Sequence, residues 1–327
     1  NQNVTTGGDV YNTAVGHFAG RTLTTGIENT IMGGLAGDAL TTGVRNVAIG
    51  KSALSADTTG RFAVAIGKDA LAAQNFTGNT EHYNTAVGAF AGKSVTTGTL
   101  NVLIGGLAGD ALTDADENVA VGYKALSADT LGLKSTALGN EALATQNFTT
   151  ATSSFNTAAG YRAGFAVTTG TQNTLIGGLA GDALTTGAEN VAIGAFALSA
   201  EDGHGKNVAV GTQALLSQNA GADAHNTAVG YLAGKAVTTG VRNVLIGSTA
   251  GDAITDADFN VAVGDQALGD NTVGSRSVAV GYIALTSQNP STATDMYNTA
   301  VGYQAGASST TAVRNTLVGG LSGDALT

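Results

Sequence analysis

The chain has 327 residues, among them 48 Gly, one Pro, no Cys and no Trp, with 14 basic against 24 acidic side chains and a formal net charge of −10. Charge is too sparse for a disordered chain, Pro is too rare for collagen, and the lack of Cys excludes disulfides and thiolate metal sites. The acidic balance without a basic stripe opposes binding to nucleic acid or anionic lipid, and no apolar run approaches the roughly 20 residues of a membrane-spanning helix.

A short motif, Asn-[Thr/Val]-[Ala/Leu]-[Val/Ile]-Gly, recurs eighteen times, from the copy ending at Gly16 to that ending at Gly319. The step is 17 residues, lengthened after every fourth copy to 21, 21, 19 and 21, which makes super-repeats of 72, 72, 70 and 72 residues. Three residues after the motif Gly stands Ala in seventeen copies, with Ser322 the exception, and the next position runs Gly, Gly, Leu, Leu without a break to Gly323. A fixed period of this length means a repeat architecture rather than separate globular domains.

Taken in chain order, each motif reads as one short strand, beginning with Thr13-Ala14-Val15, and each Thr-Thr-Gly, as at 24–26, 41–43 and 96–98, reads as a turn. Frequent Gly and β-branched enrichment oppose a helical solenoid. The expected fold is all-β, a parallel β-solenoid of about 18 coils forming one continuous repeat region over 1–327, with super-repeats at about 11–82, 83–154, 155–224, 225–296 and a partial one at 297–327. Strand periodicity puts Val47 and Ile49 on one face and Asn46 and Ala48 on the other. The Thr/Val and Val/Ile columns are expected to face the coil interior and the Ala columns to allow close approach of a second copy. The longer steps place extra loop residues at 72–83, 144–155, 216–225 and 286–297.

The run Asn46-Val47-Ala48-Ile49-Gly50 followed by Ala53 resembles the repeat of YadA-like heads in trimeric autotransporter adhesins. The variant Tyr297-Asn298-Thr299-Ala300-Val301-Gly302-Tyr303-Gln304-Ala305-Gly306 is similar to repeats of bacteriophage tail fibres. The resemblance covers Tyr11 to Thr327 and implies left-handed rolls assembled as a homotrimer, displayed on a cell surface or virion and used for attachment. The 17-residue step is longer than is usual for adhesin heads, and the chain begins and stops inside its repeat, as expected of an excerpt of a longer fibre.

Chemical signals are weak beside this pattern. His17, His82, His204 and His225 show no metal-ligand spacing, and Gly203-His204-Gly205-Lys206 lacks the Ser or Thr of a phosphate loop, Asn207 standing there. The recurring Asp38, Asp110, Asp182, Asp252 and Asp324 read as turn residues, as do the paired acids Asp114 with Asp116 and Asp256 with Asp258, which lack the bidentate Glu of a calcium loop. No catalytic, cofactor or metal residue is expected. Asn3, Asn75 and Asn147 each begin an Asn-X-Thr sequon at one phase of the super-repeat.

The expected function is a non-enzymatic structural and adhesive fibre shaft that associates with itself as a homotrimer and contacts a glycan or protein receptor on a host surface. The alternatives are an ice- or lattice-binding solenoid, suggested by the Thr arrays, and a tailspike-like polysaccharide depolymerase, which needs a singular pair of carboxylates. Insertions in solenoids often carry the binding face, which makes Phe76, His82, Tyr83, Phe148, Phe155, His225, Met296 and Tyr297 the candidate contacts with a partner.

Overall fold

The computed structural model describes residues 9–78 and 80–326. Among them each motif forms one three-residue strand, nine in each of two compact units, Asn1–Arg162 and Ala163–Thr327. Each unit is a parallel β-solenoid with a step of about 17 residues, giving about eighteen coils in all. No helix among the described residues is long and apolar enough to cross a membrane.

Strands stack in register, Val47 beside Val64 and Ile49 beside Ile66 in the first unit and Val191 beside Val208 in the second. Register survives the longer steps, since Val64 pairs with Thr85 and Val208 with Thr227. The extra residues are therefore taken up wholly outside the strand. Two of these loops add short strands of their own, Thr152–Ser153 on Gly132–Leu133 and Thr294–Asp295 on Gly274–Ser275.

Corners are made by residues in the left-handed region. In the coil around Gly50 these are Arg45 (φ 58°), Ser52 (φ 56°) and Leu54 (φ 53°), and the same three positions turn the other coils of its class. Each costs about 1–2 kcal/mol for a residue with a Cβ, and each is held by a backbone bond to a flanking coil. Arg45 N–H donates to Ile27 O at 3.1 Å, Ser52 N–H to Gly34 O at 3.0 Å and Leu54 N–H to Ala70 O at 3.0 Å. The motif Gly is needed for a further reason: at Gly177 φ is +132°, and a Cβ there would lie 2.6 Å from the carbonyl of Gly194 on the next coil.

The core explains the four-coil super-repeat. In second-class coils a large residue on the strand (Ile31, Leu103, Leu175, Leu245) faces a Gly four positions after the motif Gly. A Cβ on Gly109 would meet Leu103 at 2.7 Å and Leu112 at 2.8 Å, so the Leu side chains occupy the space that Gly leaves. Third- and fourth-class coils reverse the sizes, with Ala on the strand and Leu at the later position, as in Ala48 with Leu54 and Ala65 with Leu71. First-class coils are small at both positions, and the gap at Gly92 is filled by Leu71 and Leu103 from the coils on either side. Space that one coil leaves is thus filled by a side chain of the same or an adjacent coil, as a close-packed interior requires.

This packing corrects the expected sidedness of the strand. Ala48, Ala53 and their equivalents in the coils between the first and the last are fully buried, whereas Val47 and Ile49 are half-buried on the outer face. Both faces are apolar, and the narrow cross-section admits only Ala opposite Leu. The expected Ala surface for a second copy is consequently interior, and the outer sheet face carries Thr, Val and Ile instead.

Buried Asn residues stitch the coils together. Asn46 N–H donates to Asn29 Oδ1 at 3.0 Å, Asn46 Nδ2 donates to Gly60 O at 2.8 Å, and Ala63 N–H donates to Asn46 Oδ1 at 2.9 Å. Where fourth-class coils lack the Asn, a buried Gln substitutes: Asn84 Nδ2 donates to Gln74 Oε1 and Asn156 Nδ2 to Gln146 Oε1, both at 2.9 Å. Nearly all polar groups of the ladder are paired with backbone or side chain of a neighbouring coil, which offsets the cost of burying them; Asn207 is an exception, its Oδ1 accepting from Asn226 N–H while its Nδ2 is buried without a partner.

Candidate interaction surface

Two surfaces in each unit present apolar or aromatic side chains. The first is the outer face of the strands. Its two columns, the residues three and one before the motif Gly, contain only Thr, Val, Ile, Leu, Met and Ala. Ile104 is 38 % exposed, Leu138 40 % and Ile246 37 %.

The second surface is the left-handed corner column five residues before the motif Gly. In the first unit Arg45, Phe62 and Tyr83 stand on successive coils, the Arg45 guanidinium 5.5 Å from the Phe62 ring and Phe62 stacked on Tyr83 at 5.1 Å. Arg45 also pairs with Glu28 at 2.5 Å, and Lys134 lies 5.7 Å from the Phe155 ring. In the second unit Arg242 and Arg276 flank Phe259 at 5.5 and 4.9 Å, and Arg276 reaches Tyr297 at 5.9 Å and Asp295 at 2.9 Å. Tyr83 donates its hydroxyl to Glu81 at 2.7 Å, which raises the phenol above its ordinary pKa. Aromatic faces alternating with guanidinium groups offer stacking to a sugar ring and hydrogen bonds to its hydroxyls or carboxylates.

The eight loop residues separate into two groups. Tyr83 (48 % exposed), Phe155 (55 % exposed), His225 and Tyr297 belong to this corner column and point outward. Phe76, His82, Phe148 and Met296 do not: all are buried, and their expected place in partner contact is corrected to the core. The reason is geometric. A longer loop lets one residue turn in before the strand, His82, Ser154, Ala224 or Met296 in the four super-repeats, each fully buried. In the first of them Phe76 stacks on His82 at 4.4 Å. Grouping aromatic residues by loop hid the column, so Phe62, Phe259, Arg45, Arg242 and Arg276 were missed, although all share one phase of the repeat.

Other signals resolve into structure. Thr24, Thr41, Thr96 and Thr113 direct their hydroxyls to the carbonyls of Thr41, Thr58, Thr113 and Thr130 on the next coil, at 3.0–3.2 Å. Asp116 accepts from the backbone N–H of Thr99 at 2.6 Å and from its hydroxyl at 2.9 Å, Asp114 from the Thr97 hydroxyl, and Asp258 from Val241 N–H at 2.8 Å. Asn75 and Asn147 are exposed and accept hydroxyl bonds from Thr58 and Thr130 at 3.1 and 3.0 Å. The sequon at Asn3 lies outside the described residues. In the second unit Asp252 and Asp270 line an open polar groove with Thr249, Gln266, Gly269 and Thr286, and burial followed by the charge of Asp270 raises the pKa of Asp252.

Compared with known proteins, the chain matches no family model and no curated sequence.

Proposed function

We propose that this chain is a non-enzymatic structural and adhesive fibre shaft, a left-handed solenoid that assembles as a homotrimer through the outer faces of its strands and acts at a cell surface or virion. One observation carries the assembly: two columns running the length of each unit expose Val, Ile, Leu, Met and Thr without a single charged residue. Apolar patches of more than a few hundred Å² mark interaction sites. A three-fold rotational arrangement that turns this face of each copy towards a common axis would bury them.

Sedimentation of the purified chain should give three times the 32.1 kDa chain mass, and Ile104→Glu with Ile246→Glu should reduce it to one chain while leaving the β spectrum intact. A stable monomer of the parent at micromolar concentration would remove the assembly claim.

Attachment is assigned to the corner column, whose aromatic and guanidinium groups suit a glycan on a host surface. Replacing Tyr83, Phe155, His225 and Tyr297 together by Ser should abolish binding on a glycan array without changing mass. The ice-binding reading loses support from the Thr hydroxyls, which are directed to neighbouring carbonyls rather than to a lattice. A depolymerase reading has one observation in its favour, the groove shared by Asp252 and Asp270. Release of reducing ends from a capsular polysaccharide, lost in Asp270→Ala, would establish it over the shaft.

A further inference from the structure

The third super-repeat departs from the other three at one interior position and its neighbours. Seven residues after the motif Gly of the third-class coil stand Asp57, Asp129, Glu201 and Asn271, all fully buried. Ten residues after it stand Gly60, Gly132, His204 and Gly274. In coils with the 17-residue step that column is otherwise always Gly or Ala, so His204 is the one bulky side chain placed there.

The hydrogen bonds change accordingly. Asp57 accepts from Gly60 N–H (3.0 Å), Gln74 Nε2 (2.8 Å) and Phe76 N–H (3.4 Å). Asp129 accepts from Gly132 N–H (3.0 Å), Gln146 Nε2 (2.6 Å) and Phe148 N–H (3.1 Å). Glu201 keeps only the first of these donors, His204 N–H at 3.2 Å on Oε1. Its Gln counterpart, Gln218, donates instead to Thr238 O at 3.1 Å, and the loop that follows is two residues shorter. Glu201 Oε2 is left buried without a hydrogen-bond partner, and so is His204 Nδ1. Lys206 cannot compensate the charge, being paired with Asp223 at 2.6 Å. A buried carboxylate with one oxygen unpaired is costly, and although His204 Nδ1 lies 3.6 Å from Oε1, burial outweighs it and pushes the Glu201 carboxyl above its ordinary pKa.

The ligand atoms of Glu201, Asp202 and His204 all lie within 4.8 Å of one another. Glu201 comes from the interior, Asp202 is exposed, and the His204 side chain is partly exposed between them. The Asp202 backbone is anchored, its carbonyl accepting the Thr185 hydroxyl at 2.8 Å.

We propose that Glu201, Asp202 and His204 bind one divalent transition-metal ion, of the zinc class, which replaces the donors this coil has lost. An imidazole with two carboxylates suits zinc, whereas calcium takes oxygen ligands. Solvent on the Asp202 side completes the coordination. The site is independent of the assembly and adhesion readings above.

Zinc chloride titrated calorimetrically into the chelator-treated full chain tests this. The expected result is one Zn2+ per chain and a rise in melting temperature on binding. His204→Gly and Glu201→Asn each copy a residue that another super-repeat carries at the same position, so both should fold. Each should weaken binding by more than the roughly 10–100-fold typical of losing a group that merely orients a ligand, and each should abolish the zinc-dependent rise in melting temperature. His17→Ala should leave both readouts unchanged. No zinc binding by the parent, undiminished binding by His204→Gly, or calcium binding as tight as zinc would overturn the proposal.

Discussion

His82 Nε2 stands 3.7 Å from Asp57 Oδ2 with both side chains wholly buried, and Gln74 Nε2 lies 2.8 Å from the same carboxylate oxygen and 3.3 Å from the ring. Burial outweighs the attraction of Asp57 and holds the imidazole at a pKa of about 4, below its usual 6.5. The ring enters the fold neutral and must take up a proton on unfolding in mild acid. Because the folded pKa is the lower one, the unfolded chain binds more protons between the two values. Stability from this group is complete above about pH 6.5 and is lost as pH falls towards 4, to the order of 2–3 kcal/mol. His82→Ala, which copies Ala224, should flatten the fall in urea midpoint between pH 7 and 4.5. An equally steep fall in the variant would show that His82 is not the group responsible.

Asp129 occupies the equivalent place with Ser154 in the interior instead of a His. Burial raises its carboxyl pKa in spite of hydrogen bonds from Gln146, Phe148 and Gly132. Here the folded state is the better proton binder, so the charged form weakens the fold at neutral pH and acid relieves it. Asp129→Asn should raise stability at pH 7, an advantage that shrinks as the parent carboxyl protonates. Asn271 is the precedent, with Gln288 bonded to Ser277 at 3.1 Å much as Gln146 is to Ser135 at 2.7 Å. Calorimetric melting at pH 7 and pH 4 reads the difference, and a variant less stable at pH 7 would contradict the account.

The adjacent pair Gly177 and Gly178 separates two kinds of glycine. Gly177 has φ +132° and no room for a Cβ, whereas a Cβ on Gly178 would have no atom within 4 Å and its backbone lies outside the left-handed range. Gly178→Ala should therefore stabilise by about 0.4–1 kcal/mol through the unfolded chain. Gly177→Ala should destabilise by several times that amount, or prevent folding. Denaturant midpoints of the two variants, differing by one position, make the comparison.

Strand phase, coil number, in-register stacking and the Asn ladder were all legible, because each depends on identity recurring at a fixed spacing. Which strand face points inward was not. Ala48 and Ile49 are both apolar, so hydropathy could not choose between them, and the choice rests on cross-sectional volume, readable only by pairing each strand residue with the Gly or Leu six positions later. Loop length predicted extra residues but not that one of them turns inward, since His82, Ser154, Ala224 and Met296 share no chemical type. The corner column was visible in principle, Tyr83, Phe155, His225 and Tyr297 standing at one phase with Phe62 and Phe259, but the left-handed backbone that points them outward has no residue signature of its own.

Core volume gives the sharpest test of the corrected sidedness. Ala192 is fully buried opposite Leu198, whereas its neighbour Ile193 is half-buried on the outer face. Ala192→Leu overpacks the coil and should destabilise it by about 1–3 kcal/mol or more. Ile193→Thr should leave the β spectrum of the separate chain unchanged and weaken only self-association. The second-class coils show how the overpacked variant can be relieved: there Leu175 fills the space beside Gly181, where a Cβ would lie 2.8 Å from its methyl carbon. Adding Leu198→Gly to Ala192→Leu recreates that pairing, while Leu198→Gly alone opens a cavity. The double variant should thus be more stable than the two single changes predict by at least about 1 kcal/mol, a coupling expected only of residues that share one space. Additive effects, or a larger loss from Ile193→Thr than from Ala192→Leu in the separate chain, would return the Ile column to the interior.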